Sequence, residues 1–173
     1  ISGMSLMAAS VNLFTFFLSL EVLSISLYVL IGIEYQKSES NESAVKYFLL
    51  GAFASGFILY GIALIYGGTG STDFAAISDQ TSGGSNLLVL AGLGLLLVGI
   101  GFKISMAPFH SWTPDVYQGA PTPISAFMST GSKAAGFAVL VRVFVSVFPQ
   151  MRPDWVPLLS GLAVLTIAVG NLV

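Results

Sequence analysis

Five long apolar runs, each closed by a short polar interruption, set the pattern of this chain. Residues 11–33, 44–66, 87–112, 121–147 and 155–173 each approach or exceed the roughly 20 mostly apolar residues that a membrane-crossing helix needs. Residues 1–10 are also apolar and read as the tail of one span or the start of the next. The interruptions differ in kind. Residues 34–43 carry Glu34, Lys37, Glu39 and Glu42 among serines, and residues 67–85 form a Gly/Ser/Thr stretch with two acids and no base, the composition of a solvated connection. The fourth run ends in Ala107-Pro-Phe-His-Ser-Trp-Thr-Pro114, whose prolines predict a broken helix. Trp112 and Trp155 fall near span ends and are expected at the membrane interface.

Composition sharpens the picture. The chain has 173 residues, 55% hydrophobic and 8% charged, with mean hydropathy +0.89, whereas a soluble domain carries about 25% charged residues. In lipid every backbone polar group must be satisfied internally, which leaves helices or closed barrels. Barrel strands are short alternating segments; these runs are long and continuous. The expected fold is therefore all-α, a polytopic transmembrane helix bundle in one domain, integral to a membrane. Both ends lie inside apolar runs, so the chain is expected to be an internal piece of a longer protein.

Charge and residue types exclude several functions. The net charge of −2 offers no basic patch for nucleic acid. With no cysteine and one histidine, iron–sulfur, thiolate and multi-histidine metal sites are not expected. The Gly-Leu-Gly and Gly-Ile-Gly pairs lack the strand–turn–helix setting of a nucleotide site. No Walker motif and no nucleophile–base set is present. The Asn41-Glu-Ser sequon matches a glycosylation acceptor, a pattern short enough to arise by chance. Lys37 and Lys46 flank one connection and Arg142 and Arg152 another on the opposite side, so the positive-inside rule leaves orientation open.

Three charges fall inside apolar runs and away from their ends: Glu21, Lys103 and Lys133. An ionisable residue at mid-membrane costs at least about 2.5–3.5 kcal/mol, so each is a functional candidate. The bland alternative for any one of them is a static interhelical ion pair or a snorkelling amine. Ser24 and Tyr28 share a helical face with Glu21; Ser129, Thr130 and Gly136 share one with Lys133. Gly92, Gly94, Gly99 and Gly101 allow close helix approach before Lys103. Pro108 removes the backbone hydrogen bond to Ile104, which interrupts the helix beside Lys103. Such breaks occur where backbone is buried in protein or lines a cavity, and often at ion sites. Burial disfavours a charged amine and a neighbouring carboxylate favours it. Doubling a Glu–Lys separation from about 4 to 8 Å changes their attraction by about 2 kcal/mol at an effective dielectric near 20, enough to load or release a proton. Lys46 and His110 are secondary candidates. For His110 a structural hydrogen bond to loop backbone competes with a proton relay. Arg142 is read as snorkelling, and Asp115 as a capping or loop carboxylate.

The stretch Gly101-Phe-Lys-Ile-Ser-Met-Ala-Pro-Phe-His-Ser-Trp-Thr-Pro-Asp-Val-Tyr-Gln-Gly-Ala-Pro-Thr-Pro123, followed by Ser132-Lys-Ala-Ala-Gly-Phe137, resembles the antiporter-like membrane subunits of NADH:quinone oxidoreductase (respiratory complex I), the subunit N family more than its L and M relatives. Leu20-Glu-Val-Leu-Ser24 and Val45-Lys-Tyr-Phe48 are similar to that family's fifth- and sixth-helix motifs. The resemblance implies proton translocation driven by quinone reduction in other subunits. It makes Glu21 similar to the fifth-helix glutamate that pairs with the seventh-helix lysine, here Lys103. Lys46 is then similar to the sixth-helix lysine near that pair, and Lys133 to the eighth-helix lysine on the central hydrophilic axis. It implies an antiporter-like fold with a broken helix, this chain covering most of the first inverted repeat. The second half-channel, with its twelfth-helix lysine, has no counterpart in residues 1–173. No cofactor is expected in this chain; NADH, FMN, iron–sulfur clusters and quinone belong to partner subunits. Expected partners are the other membrane subunits of the complex and the lipid bilayer, in a bacterial plasma membrane or else an organellar one. Subunits of multi-chain cation/proton antiporters and of membrane-bound hydrogenase-type complexes share the Lys and Pro-Phe-His features. The Gly-Ala-Pro-Thr-Pro run favours the complex I family, and the buried charges disfavour a structural scaffold.

Overall fold

A computed structural model describes residues 1–84 and 86–172. The described residues form helices joined by turns, with one isolated β-bridge between Asn12 and Asp73. The helices are α1 (Ser2–Ala9), α2 (Leu13–Ile31), α3 (Ser38–Thr69), α4 (Phe74–Thr81), α5 (Leu87–Lys103) and α6 (Thr113–Gly119). A continuous helical stretch then joins α7 (Thr122–Phe127), a π-helical segment (Met128–Ser132), α8 (Lys133–Val141) and a second π-helical segment (Arg142–Val147). A short 3₁₀ turn leads into α9 (Arg152–Leu172). Among the described residues four stretches are long and apolar enough to cross a membrane: Leu13–Ile31, Ser38–Thr69, Thr122–Val147 and Pro149–Leu172; α5 is a shorter apolar helix.

The all-helical expectation holds, and several boundaries move. α1 is a separate helix packed against α2, with Gly3 lying against the Ser19 carbonyl and the Leu23 backbone. α3 starts at Ser38 rather than 44, because the polar Ser-Glu-Ser-Asn-Glu run still supports helix. Two of its serines are buried: Ser40 donates to the Ile31 carbonyl at 2.6 Å and Ser43 to the Asp115 carbonyl at 3.1 Å. At 1.5 Å per residue α3 is about 48 Å long, more than the roughly 30 Å hydrocarbon core. Its length leaves the polar first turns in excess of what a span requires.

The predicted connection 67–85 contains a helix. Asp73 caps α4 by accepting from the N–H groups of Ala75 and Ala76, and Phe74 and Ile77 are buried in the core. Ser85, the expected end of that connection, and Val173, the expected end of the last span, lie outside the described residues. The same region is clasped to the start of α2. Leu13 N–H donates to the Thr72 carbonyl at 2.8 Å, and Phe74 N–H to the Val11 carbonyl at 3.0 Å.

The core forms where α2, α3 and α5 meet the 122–147 stretch. Phe16, Leu20, Leu23 and Leu27 of α2 recur at three- and four-residue steps and face Ile58, Ile62 and Ile65 of α3 and Leu93, Leu96 and Ile100 of α5. The outer faces are apolar too: Val22, Ile25, Val29, Phe53 and Ile167 are exposed. Apolar inside and outside is the pattern of helices solvated by lipid.

α3 and α5 approach closely at Gly61 and Gly92, where a Cβ on either would stand 2.7 Å from the carbonyl oxygen of the other. Gly99 serves the same contact nearer the break, against the Ala54 carbonyl and Ile58, whereas Gly94 meets nothing and Gly101 packs on Met106 and Phe109. Gly61→Val is expected to force the helices apart and destabilise the bundle by about 1–3 kcal/mol. Thermal unfolding in detergent measures this, with Gly94→Ala, which faces open space, as the silent control.

Candidate functional site

The site begins where α5 stops. The regular helix ends at Lys103, Ile104 leaves it, and Ser105 takes a left-handed conformation at φ 58°. Met106 N–H reaches back to the Gly101 carbonyl at 2.8 Å and Ser105 N–H to Phe102 at 3.1 Å, closing the turn. Proline has no N–H, so residue 108 cannot supply the bond the Ile104 carbonyl would receive in a continuing helix. That carbonyl accepts instead from Lys133 Nζ at 3.3 Å. The break is buried in protein, as the sequence predicts, with Ile104, Met106 and Ala107 all in the core region. Side chains from several elements hold it: Trp112 Nε1 donates to the Phe102 carbonyl (3.1 Å), Thr113 Oγ1 to Ser105 Oγ (2.8 Å), and Ala107 N–H to Thr166 Oγ1 of α9 (3.1 Å).

Lys103 is 5% exposed, and its ammonium donates to Ser24 Oγ at 2.9 Å and Tyr47 Oη at 3.1 Å, lying 5.6 Å from the Tyr47 ring centroid. Hydrogen bonds to a charged group are worth about 1.5–3 kcal/mol each, which makes this pair of hydroxyls its holding position. Glu21 is not its direct partner. Among the described residues the ion pairs are Lys37–Glu34, Lys46–Glu42 and Lys46–Asp115. The half-buried Glu21 carboxylate accepts from Ser55 Oγ at 2.5 Å. Ser24, Tyr28, Ser55 and Lys103 line a cavity of about 10 Å³, the room of a single water. The expected acid–amine pair is thus two hydrogen-bonded half-sites, Lys103–Ser24–Tyr47 and Glu21–Ser55, with Ser24, Tyr47, Ser55 and Lys103 on the wall of one small cavity that Leu20, Ile58 and Phe102 also line.

Lys133 stands near the middle of the 122–147 stretch, immediately after the first π-helical segment. Its ammonium lies on the Ile104 carbonyl and over two rings, 5.9 Å from the Trp112 centroid and 5.7 Å from that of Tyr117. The carbonyl belongs to the C-terminal end of α5, where the helix dipole favours a cation. Gly136 allows this approach: a Cβ there would run into the Ile104 side chain. The other two expected neighbours are elsewhere. Ser129 and Thr130 are exposed with their hydroxyls on the Ala126 carbonyl, because the π segment changes the register that a plain α-helix would give.

The secondary candidates separate from this cluster. Lys46 bridges Glu42 at 2.7 Å and Asp115 at 2.8 Å with its side chain 42% exposed, about 12 Å along α3. It ties α3 to the first turn of α6 near the membrane boundary and does not join the Glu21–Lys103 site. Asp115 is both a helix-start carboxylate and the partner of Lys46. The expected structural bond of His110 to loop backbone is missing: its Nδ1 is buried without a hydrogen-bond partner among the described residues, as is Tyr117 Oη. Arg142 does not simply snorkel; it donates to the Ala8 carbonyl at the end of α1. Trp112 is not interfacial but 3% exposed, at the centre of the site, while Trp155 stays half-buried at the start of α9 with its N–H on the Phe148 carbonyl.

Three site residues escape the charge-based reading: Tyr47, Ser55 and Trp112. Tyr47 follows Lys46 inside the Val45–Phe48 motif, and Ser55 lies two turns further along α3, a polar face too dilute to stand out. Together these groups can hold a proton on a buried amine, set a second amine and a carboxylate on neighbouring elements, and admit a water beside Lys103.

Three comparisons bear on this arrangement. Residues 10–173 match the family model described as NADH:quinone oxidoreductase/Mrp antiporter, TM. Curated relatives include the NADH-quinone oxidoreductase subunit N of Trichlorobacter lovleyi, 58% identical over 98% of this chain and 35% of the relative. Another is subunit N 1 of Herpetosiphon aurantiacus, 48% identical over 99% of this chain and 36% of the relative. The chain spans about a third of the length of these relatives. Among solved structures, a chain of respiratory complex I from Thermus thermophilus is 47% identical with TM-score 0.82, over 98% of this chain and 36% of that one. A chain of an archaeal membrane-bound sulfane sulfur reductase is 32% identical with TM-score 0.74, over 84% of this chain and 30% of that one.

Proposed function

Because the chain belongs to the NADH:quinone oxidoreductase/Mrp antiporter transmembrane family, we propose that it carries protons across the membrane as part of subunit N of an NADH:quinone oxidoreductase. The observation that carries this reading is Lys103: a buried amine whose hydrogen bonds among the described residues go to neutral hydroxyls, with the Glu21 carboxylate one helical turn before Ser24 and held on Ser55, and a second amine docked on the adjoining helix break. A static ion pair would bring the opposite charges into contact. Here the opposite charges are not in contact, and a movement that brings them together strengthens their attraction as the inverse of the separation.

In this reading Lys103 Nζ holds the proton and Ser24 and Tyr47 set its resting position. Glu21, fixed by Ser55, supplies the opposing charge, and Lys133 is the next site along. The driving electron transfer, with NADH, FMN, iron–sulfur clusters and quinone, takes place in partner subunits. The chain works among the other membrane subunits of the complex, in a bacterial plasma membrane, a setting supported by its bacterial relatives.

The test uses the complete complex containing the full-length protein, reconstituted in liposomes. NADH and a quinone acceptor are expected to drive proton uptake into the vesicles, collapsed by a protonophore and indifferent to sodium. Sodium-dependent proton movement that needs no NADH would instead support a cation/proton antiporter.

A further inference from the structure

Both lysines lie on one continuous series of aromatic rings. Tyr28 of α2 meets Tyr47 of α3 at 5.2 Å between centroids, Tyr47 meets Trp112 at 4.8 Å, and Trp112 meets Tyr117 of α6 at 5.9 Å. Phe102 thickens the middle, 5.3 Å from Trp112 and 6.2 Å from Tyr47. Lys103 sits on the Tyr47 end and Lys133 on the Trp112 and Tyr117 end. The indole is itself fixed, buried and with its N–H on the Phe102 carbonyl one residue before Lys103.

We propose that Trp112 is a positioning residue for proton transfer between the two lysines: its indole walls Lys103 and Lys133 into separate compartments and, with Tyr117, seats the Lys133 ammonium on the Ile104 carbonyl. This rests on the proton-carrying function proposed above. An aromatic face suits the task for two reasons. It attracts a cation without hydrogen-bonding it, so the ammonium is oriented yet free to give up a proton to water. It is also a broad apolar plate with no polar atom on its face, so water does not bridge the compartments while the indole is in place. The ring itself takes up and gives up no proton; it acts through the amine it positions.

The test compares side chains at 112 in the full-length protein within the assembled, reconstituted complex, reading protons pumped per NADH oxidised. Trp112→Phe keeps an aromatic face and is expected to stay within about twofold of the native ratio. Trp112→Leu keeps apolar bulk without the face and is expected to lose about threefold or more. Rescue by Phe but not Leu separates a cation-seating role from simple filling of space. If Trp112→Leu fails to accumulate, Trp112→Met, an adaptable apolar chain, is read in its place. Equal ratios for Phe and Leu, whether both native or both depressed, would overturn the proposal. Lys133→Ala is run alongside: full pumping by that variant sinks the underlying function, whereas its failure beside a normal Trp112→Leu sinks the role of the indole alone.

Discussion

Proton pumping by the reconstituted complex is expected to fall at least about tenfold when Lys133 is replaced by Ala, with the complex still assembled. The expectation follows from how the amine is held. Its ammonium occupies a seat made by the Ile104 carbonyl and two ring faces, and no other described side chain reaches that carbonyl. Alanine leaves the carbonyl at the helix break without its donor and removes the titratable group from the middle of the span. General acid–base groups commonly contribute about a hundredfold or more to proton transfer, so tenfold is a lower bound. Lys133→Arg keeps a cation that can still donate to the carbonyl and lie over the rings, and should assemble as well as the native protein. It holds its proton too firmly to cycle, so it should pump better than Ala and less than Lys. Vesicle acidification with NADH decides this; an Ala variant pumping at the native rate would remove Lys133 from the route.

The second large effect is expected from Glu21→Gln. Gln preserves shape and can still accept from Ser55, so the variant removes the charge and little else. Glu21 and Lys103 make no direct ion pair in this structure. Attraction persists beyond contact: any two unit charges about 8 Å apart interact by about 2 kcal/mol at an effective dielectric near 20, roughly thirtyfold in an equilibrium. Losing that bias should lower pumping at least about tenfold. Glu21→Asp retains the charge while drawing it back by one methylene, and should fall between. Complex abundance on a native gel separates misassembly from lost charge. Equal pumping by the Gln variant and the native protein would show that the carboxylate does not act on Lys103.

How far these features could be read in advance depends on where their information lies. Ser24 and Tyr28 were legible because they share a helix face with Glu21, and both line the cavity beside Lys103. The helix break was legible because one missing N–H at Pro108 has a single consequence, a free carbonyl at Ile104. What fills that carbonyl was not, since Lys133 arrives from 29 residues away. Tyr47 and Ser55 matter only through groups on other helices, which no spacing along α3 reveals. Trp112 sits deeper than its place near a span end implies, because the break folds this end back into the bundle. α4 leaves little trace in the sequence because Phe74 and Ile77 are its only large apolar residues, enough to anchor two turns once Asp73 caps them.

The π-helical segment Met128–Ser132 has a consequence for how the span tolerates change. A π turn accommodates one residue more than the α turn it replaces, and each residue advances an α-helix by about 100°. The five residues before Lys133 therefore act as a phase adjuster, letting the ends of one rod obey different partners: Ala120 and Pro121 fixed by α6, the amine aimed at the break. Shortened by a single residue, this segment would close into an ordinary α turn with both ends still in phase, whereas one residue lost from the regular helix between Pro121 and Met128 would turn the lysine about a quarter-turn away from the Ile104 oxygen. In this part of the molecule the count of residues carries more than their identity.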